Sequence, residues 1–150
     1  DRVLNVNLKG AFFATQAMVQ YLLGANRPGK IINISSVHEE LPFPNFATYC
    51  ASKGGLRMLT RNLAVELGRF GITVNGIAPG AIETAINTKL LNDPVKLPAL
   101  LRQIPLGRLG RPGDVAGVAA FLASSDADYV TGATYFVDGR LTWHYEEEGD

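Results

Sequence analysis

The chain has 150 residues, 47% hydrophobic and 19% charged, with 14 Lys and Arg balancing 14 Asp and Glu. These proportions fit at most one folded globular domain. Zero net charge without a basic run argues against nucleic acid as a partner, no stretch is long and apolar enough to span a membrane, and no signal-peptide pattern opens the chain.

A single cysteine, Cys50, leaves no intrachain disulfide and no cysteine metal cluster. That suits a reducing, cytoplasmic compartment. Cys50 has no evident base partner and reads as a buried bystander. With two distant histidines, His38 and His144, and no paired acidic ligands, no catalytic metal site is expected.

Residues 2–23 place Val3, Leu4, Leu8, Phe12, Ala14, Met18 and Leu22 near helical spacing. The chain opens without a methionine and already in mid-helix, as though entered partway. "GANRPGK" breaks the pattern. "IINIS", 31–35, has the length and β-branching of a buried strand. A loop with Pro42 and Pro44 leads to a second helix over 48–69. Leu56, Leu59, Leu63 and Leu67 share its apolar face, and Tyr49 and Lys53 fall on that face at its N-terminal end. Gly71 stops this helix.

"ITVNGIA", 72–78, is a second strand, ended by Pro79 and Gly80. Residues 84–103 are apolar but interrupted by Pro94 and Pro98, as in a helical excursion that can move. A third helix follows, with Pro112 in its first turn and Asp114 at the positive end of its dipole. Residues 133–139 form a last strand. Glu146 to Glu148 read as a solvated tail.

Apolar strands alternating with helices imply an α/β fold, a parallel sheet covered on both faces. Ligands of such sheets sit beyond the carboxyl ends of the strands. Ser35 and Ser36 end the first strand, Pro79 and Gly80 end the second, and Tyr49 and Lys53 start the helix between them. Four residues apart, Tyr49 and Lys53 are neighbours on a helix. An ammonium beside a phenol favours the phenolate and makes a tyrosine usable as an acid or base near neutral pH. A lone Tyr-x-x-x-Lys is weak, since five Tyr and five Lys in 150 residues often produce one by chance. Its convergence with two strand ends on one rim is far harder to obtain by chance.

Ser36, then Tyr49 thirteen residues on, then Lys53, is the Ser/Tyr/Lys spacing of the short-chain dehydrogenases/reductases. "NVNLKGAFF" before it and "GITVNGIAPGAIET" after it are similar to that family's flanking segments. The resemblance covers essentially all 150 residues. "SSVHEELPFPNFATYCASKGGLRMLTRNLAVEL" and "YVTGATYFVDGRLTW" look most like the glucose 1-dehydrogenase branch.

The resemblance implies a Rossmann-like, three-layer α/β/α fold and an oxidoreductase that uses NAD or NADP. It implies that Tyr49 takes the hydroxyl proton of an alcohol, that Lys53 assists it and holds the nicotinamide ribose, and that Ser36 hydrogen-bonds the substrate oxygen. It assigns Asn7 to the proton relay, with Asn5 as the rival. Pro79, Gly80, Ile82 and Thr84 match the segment over the nicotinamide, with Ile82 offering its backbone and Thr84 a hydrogen bond. The segment 84–103 becomes the substrate lid. His38 faces the substrate in this branch and is a candidate for a sugar hydroxyl, as well as a plain exposed loop residue. Glu39 is a weaker candidate. The partners implied are a small alcohol or sugar, and further subunits in a homodimer or homotetramer built through the helices at 2–23 and 48–69.

One departure is large. The family's Gly-rich phosphate turn after a first strand has no counterpart, because "GRLGRPG" follows no strand. Residues 1–150 are therefore expected to be the C-terminal catalytic part of one domain, with the N-terminal phosphate-binding βαβ half missing, and to be unstable and inactive alone. The alternative is a truncated, non-catalytic remnant that pairs with full-length relatives. A smaller departure is Arg140, where the branch usually carries a second glycine.

Overall fold

The computed structural model describes residues 2–143. Helix α1 runs from Arg2 to Gly24, and its two α-helical pieces, Arg2–Leu4 and Gly10–Gly24, are joined by a π turn over Asn5–Lys9. Strand β1 is Gly29–Ile34 and helix α2 is Ala47–Leu67. Strand β2 is Ile72–Pro79. The excursion resolves into a 3₁₀ turn, Ala85–Asn87, and two short helices, α3 (Thr88–Leu91) and α4 (Lys96–Arg102). Helix α5 is Pro112–Ala123 and strand β3 is Thr134–Val137.

The expected order of elements holds, and the boundaries move. Strand β1 starts at Gly29, not residue 31, because Gly29 and Lys30 already pair with Ile72 and Thr73. The sheet is parallel throughout, in the order β1-β2-β3, with Gly76 to Pro79 facing Thr134 to Val137. The last strand is shorter than residues 133–139 because Asp138 turns back, its carboxylate accepting the backbone N–H groups of Arg140 and Thr142.

Strand alternation sorts the core into two layers. Ile31, Ile72 and Val74 pack against Leu22 of α1 and Ala64 and Leu67 of α2. Ile77 packs on the other face against Leu122 of α5 and Ala127. The buried stripe of α2 is less apolar than its leucines suggest. Ser52 and Thr60 are buried on it along with Leu56, Ala64 and Leu67, whereas Leu59 and Leu63 are only half-buried. Thr60 is accommodated because its hydroxyl donates to the Leu56 carbonyl at 2.9 Å and accepts from the amide of buried Asn33 at 2.9 Å. Cys50 is half-buried, less sequestered than the sequence suggests. The tail, with His144 and Glu146 to Glu148, lies outside the described residues.

Arg140 adopts φ +77°, the left-handed conformation that glycine takes without cost. Its guanidinium lies 5.5 Å from the centre of the Trp143 ring. Relief of the left-handed strain is worth about 1–2 kcal/mol, but Arg140→Gly also forfeits about 0.5–1 kcal/mol of cation–π attraction and adds chain entropy to the unfolded state. The two sides nearly cancel, so this substitution in the whole domain is expected to change unfolding free energy by less than about 1 kcal/mol. A urea-denaturation shift well beyond that, in either direction, contradicts this balance.

Candidate active site

Ser36 stands just past β1 in extended backbone (φ −170°) and caps the 3₁₀ turn Val37–Glu39. Its Oγ accepts the His38 backbone N–H at 3.2 Å, which leaves its own proton to donate elsewhere. Ser35 next to it is tied back to the sheet, with its N–H on the Ile77 carbonyl at 2.7 Å. The two serines thus divide the work: Ser35 anchors the strand end and Ser36 presents a hydroxyl.

Tyr49 and Lys53 sit on the first turns of α2, both half-buried. Lys53 Nζ lies 5.7 Å from the centre of the Tyr49 ring and donates to the Ile34 carbonyl at 3.1 Å. Burial lowers the Lys53 pKa below the usual lysine value, and the nearby Glu39 opposes that shift. One hydrogen bond therefore carries the lysine from the helix to the end of β1, next to the serines.

Asn7 and Asn5 separate clearly. Asn7 Nδ2 donates to Ser52 Oγ at 3.2 Å, and Ser52 Oγ donates to the Tyr49 carbonyl at 2.6 Å. Asn5 is exposed. The π turn widens the helix at this point, where the Gly10 N–H bonds the Asn5 carbonyl. Ser52, fully buried between Tyr49 and Lys53, carries this link; the apolar-stripe reading passes over it because serine is small and polar.

Beyond β2, Gly80 donates to the Val137 carbonyl at 3.0 Å. A Cβ at Gly80 would lie 2.8 Å from Cα and Cβ of Asp138. Gly80→Ala in the whole domain is expected to cost about 2 kcal/mol through backbone displacement, measured by urea denaturation; a loss under 0.5 kcal/mol contradicts it. Ile82 forms a parallel bridge with Gly110, made by Gly110 N–H to the Ala81 carbonyl (2.9 Å) and Glu83 N–H to the Gly110 carbonyl (2.8 Å). That pattern uses the neighbours' groups and turns the N–H and carbonyl of Ile82 the other way. The Ile82 carbonyl accepts the Asn87 amide at 2.7 Å. Thr84 is extended, and its hydroxyl caps nothing in the turn that follows.

Glu39 is buried, with a side-chain exposure of 0%. Burial raises its pKa, while the Ser35 hydroxyl and Arg57 pull it back. Arg57 Nε lies 3.5 Å from Glu39 Oε1, and Arg57 also pairs with Glu40. Nothing in the spacing marks this triad, because its members lie on a turn and on a helix far apart in sequence.

His38 packs its ring against two aromatic neighbours, one of which carries a third ring. It stacks on Phe43 at 4.3 Å and meets Tyr49 edge-on at 6.1 Å, and Phe43 stacks on Phe46 at 4.2 Å. His38 Nδ1 lies 3.0 Å from the Leu41 carbonyl. A carbonyl only accepts, so Nδ1 carries the proton and Nε2 is the acceptor of the neutral ring.

At this rim Gly80 lies against Asp138, the Ile82 N–H turns away from the bridge and the Thr84 hydroxyl caps nothing, groups that could hold the nicotinamide end of a dinucleotide. "GRLGRPG" does not supply a phosphate site. Gly110 is engaged with Ile82, and the first turn of α5 is occupied by Asp114, which accepts Arg111 N–H at 2.7 Å and Arg108 at 2.8 Å. The Arg108 hydrogen bond, then that of Arg111, draws the Asp114 carboxyl down to about 2. A carboxylate there repels a second anion. Among the described residues no group of His, Cys, Asp and Glu gathers as metal ligands, and no helix is long and apolar enough to cross a membrane.

Fold and rim together define a parallel α/β protein with a serine, a tyrosine and a lysine gathered beyond its strand ends. The family described as enoyl-(acyl carrier protein) reductase, within the short-chain dehydrogenases/reductases, matches residues 1–142. The chain is 52% identical over 142 residues to 3β-hydroxysteroid dehydrogenase 1 of Eggerthella lenta, covering 95% of this chain and 54% of that protein. It is 43% identical over 142 residues to glucose 1-dehydrogenase 2 of Bacillus subtilis, covering 95% and 55%. The crystal structure of a gluconate 5-dehydrogenase from Burkholderia cenocepacia, in complex with NADP and tartrate, superposes with TM-score 0.89 at 43% identity, over 95% of this chain and 55% of that one. The chain belongs to the short-chain dehydrogenase/reductase family. It spans about half the length of the relatives it matches.

Proposed function

We propose that this chain is the catalytic, C-terminal part of an NAD(P)-dependent dehydrogenase acting on a sugar or other secondary alcohol. The observation that carries the reading is Lys53, which reaches from the Tyr49 helix to the Ile34 carbonyl, at the strand end that Ser36 follows by two residues. The bound nicotinamide supplies the chemistry of accepting or donating a hydride.

The chain's own residues handle the oxygen and its proton. Ser36 donates its free hydroxyl proton to the substrate oxygen and steadies charge as it develops there. Tyr49 takes the proton from that oxygen on oxidation and returns it on reduction. Lys53 presents an ammonium over the Tyr49 ring and would hold the nicotinamide ribose. Asn7 braces the start of α2 through Ser52 and the Tyr49 carbonyl, and would hold a water of the relay. Pro79 and Gly80 set the turn from which the Ile82 backbone would hold the nicotinamide carboxamide and Thr84 would hydrogen-bond the cofactor.

The identity to a glucose 1-dehydrogenase and to a gluconate 5-dehydrogenase supports a glucose-like substrate. The 52% identity to a hydroxysteroid dehydrogenase supports a fused-ring alcohol as the second reading. His38 Nε2, an acceptor, suits a substrate hydroxyl in either case. Association into a homodimer or homotetramer through α1 and α2 belongs to the same proposal, supported by exposed Met58 and Val65 on α2 and Phe13 on α1.

The test is reduction of NAD and NADP by the whole domain carrying this chain, with glucose and a 3β-hydroxysteroid as donors. Formation of reduced cofactor with one of them is expected. No reduction of either cofactor by any secondary alcohol, from a folded domain, overturns the proposal.

A further inference from the structure

The carboxylate of Glu39 sits where a charge is costly, and its immediate neighbours do not cancel it. Its side chain is fully buried in the turn that follows Ser36. Among the described residues neither of its oxygens has a well-formed hydrogen bond. The nearest cation, Arg57 Nε, is 3.5 Å from Oε1, and the guanidinium closes more tightly on Glu40 through Nη2. Two carboxylates thus share one arginine, and one negative charge is left over. A buried charge acts at longer range than a solvated one, because little water screens it.

Helix α2 presents a row of cations to this charge. Lys53, Arg57 and Arg61 follow one another four residues apart, along one face. Arg57 is engaged by Glu40, and Arg61 is exposed and screened by water. Lys53 is half-buried, its hydrogen bond goes to the neutral Ile34 carbonyl, and among the described residues no carboxylate lies within ion-pair distance of it. The turn holding Glu39 rests on this part of the helix: a Cβ at Gly54, next to Lys53, would lie 3.8 Å from the Glu39 carbonyl oxygen. Glu39 is the charge that opposes the effect of burial on Lys53. On the remaining sides, β2 carries no titratable residue, Arg2 and Lys9 of α1 are exposed, and the His38 ring lies against Phe43 and Tyr49.

We infer that Glu39 is a positioning residue of this site: its ionised carboxylate, held dry in the Ser36 turn, is the remote counter-charge that keeps Lys53 an ammonium. Burial disfavours the ionised state of Glu39, and the Ser35 hydroxyl and Arg57 support it. A fully buried carboxylate does not reach the substrate. It acts through Lys53, whose positive charge in turn favours the Tyr49 phenolate. This inference rests on the proposed dehydrogenase reading and adds to it what fixes the charge of the lysine.

The experiment follows Lys53 directly in the whole domain. Its acetylation by acetic anhydride is measured against pH by peptide mass spectrometry; only the free amine reacts, so the midpoint reports the ammonium. Glu39→Gln removes the charge and keeps the shape, and should move that midpoint down by about half a pH unit or more. Glu39→Asp, which keeps the charge, should restore most of the difference. Arg57→Gln removes a cation from the same row and leaves both carboxylates without their arginine. It should move the midpoint up, and it gives a second reading should Glu39→Gln lose its fold. The alkaline limb of kcat/KM for alcohol oxidation should move with the midpoint in each variant. A midpoint unmoved in folded Glu39→Gln, moved equally by Gln and Asp, or lowered by Arg57→Gln overturns the inference. Turnover that depends on Tyr49 with an unmoved midpoint leaves the dehydrogenase reading standing and removes this one. A folded domain that oxidises no alcohol, whatever its midpoint, removes the dehydrogenase reading and with it the part of Glu39 in catalysis.

Discussion

Replacing Tyr49 with Phe in the whole domain is expected to lower kcat about a thousandfold while leaving the dissociation constant of the nicotinamide cofactor within a factor of two or so. The substitution deletes one oxygen. The ring stays where it is, because its edge-on contact with His38 at 6.1 Å involves the aromatic carbons. The helix stays too, since Ser52 still donates to the backbone carbonyl of residue 49. Lys53 keeps its hydrogen bond to the Ile34 carbonyl, and the backbone of Ile82 is untouched. What is lost is the group that exchanges a proton with the substrate oxygen, and general acid–base groups of this kind contribute about 10²–10⁴-fold. Stopped-flow turnover and equilibrium cofactor titration on the same preparation decide it. A Tyr49→Phe enzyme with turnover within threefold of the original ends the assignment of Tyr49 as the base.

Lys53→Ala serves as the contrasting variant. It removes the charge beside the phenol as well as the anchor on β1. Turnover and cofactor affinity should therefore fall together, unlike the Tyr49 pattern. If both variants lost only turnover, Lys53 would have no part in holding the cofactor.

The parts of this site legible in the sequence are those governed by a period. Tyr49 and Lys53 lie one helical turn apart, so their proximity follows from geometry that any helix shares. Strand ends are legible from β-branched runs broken by Ser or Pro-Gly, and the parallel sheet follows from the alternation of strands with helices. What escaped depends on three-dimensional neighbours or on residues whose type misleads. The π turn at Asn5–Lys9 contains no Pro or Gly to announce it. It shifts the register of α1 and brings Asn7, not Asn5, to Ser52. Ser52 and Thr60 look like solvent-facing residues of a helix, yet each is buried because its hydroxyl bonds the carbonyl three or four residues back. Strand β1 begins on Gly29, a residue with poor strand preference, because parallel pairing with Ile72 outweighs propensity there. The aromatic stack could be suspected from Phe43, Phe46 and Tyr49 at intervals of three, but a proline-bounded loop has no period from which to read contacts.

The 150-residue chain by itself is expected to show no cooperative thermal transition and no dehydrogenase turnover. Its accessible surface is 9591 Å² for a mass of 16.1 kDa, while a folded monomer of that mass exposes about 7,400 Å². Large apolar side chains contribute to it. Val6, Phe13 and Tyr21 on α1 are 66%, 52% and 59% exposed, and Met58 and Val65 on α2 are 62% and 84% exposed. If half of the roughly 2,200 Å² of excess is apolar, the forgone burial is on the order of 20 kcal/mol, larger than the 5–15 kcal/mol by which domains are normally stable. The backbone points the same way. Among the described residues β1 pairs with β2 alone, leaving one edge of an apolar parallel strand open, with Ile34 47% exposed at its end. Such an edge recruits other chains before it tolerates water. Calorimetry and light scattering of the purified chain should show aggregation without a cooperative unfolding peak. Adding the N-terminal half of a family member, in the same chain or as a separate one, should restore both the peak and the turnover. A cooperative transition with NAD(P)-dependent turnover from the 150 residues alone refutes this expectation. It would mean that three strands and two exposed helices form a self-sufficient catalytic unit. Recovery only when a neighbour for β1 is supplied would locate the missing free energy at that edge.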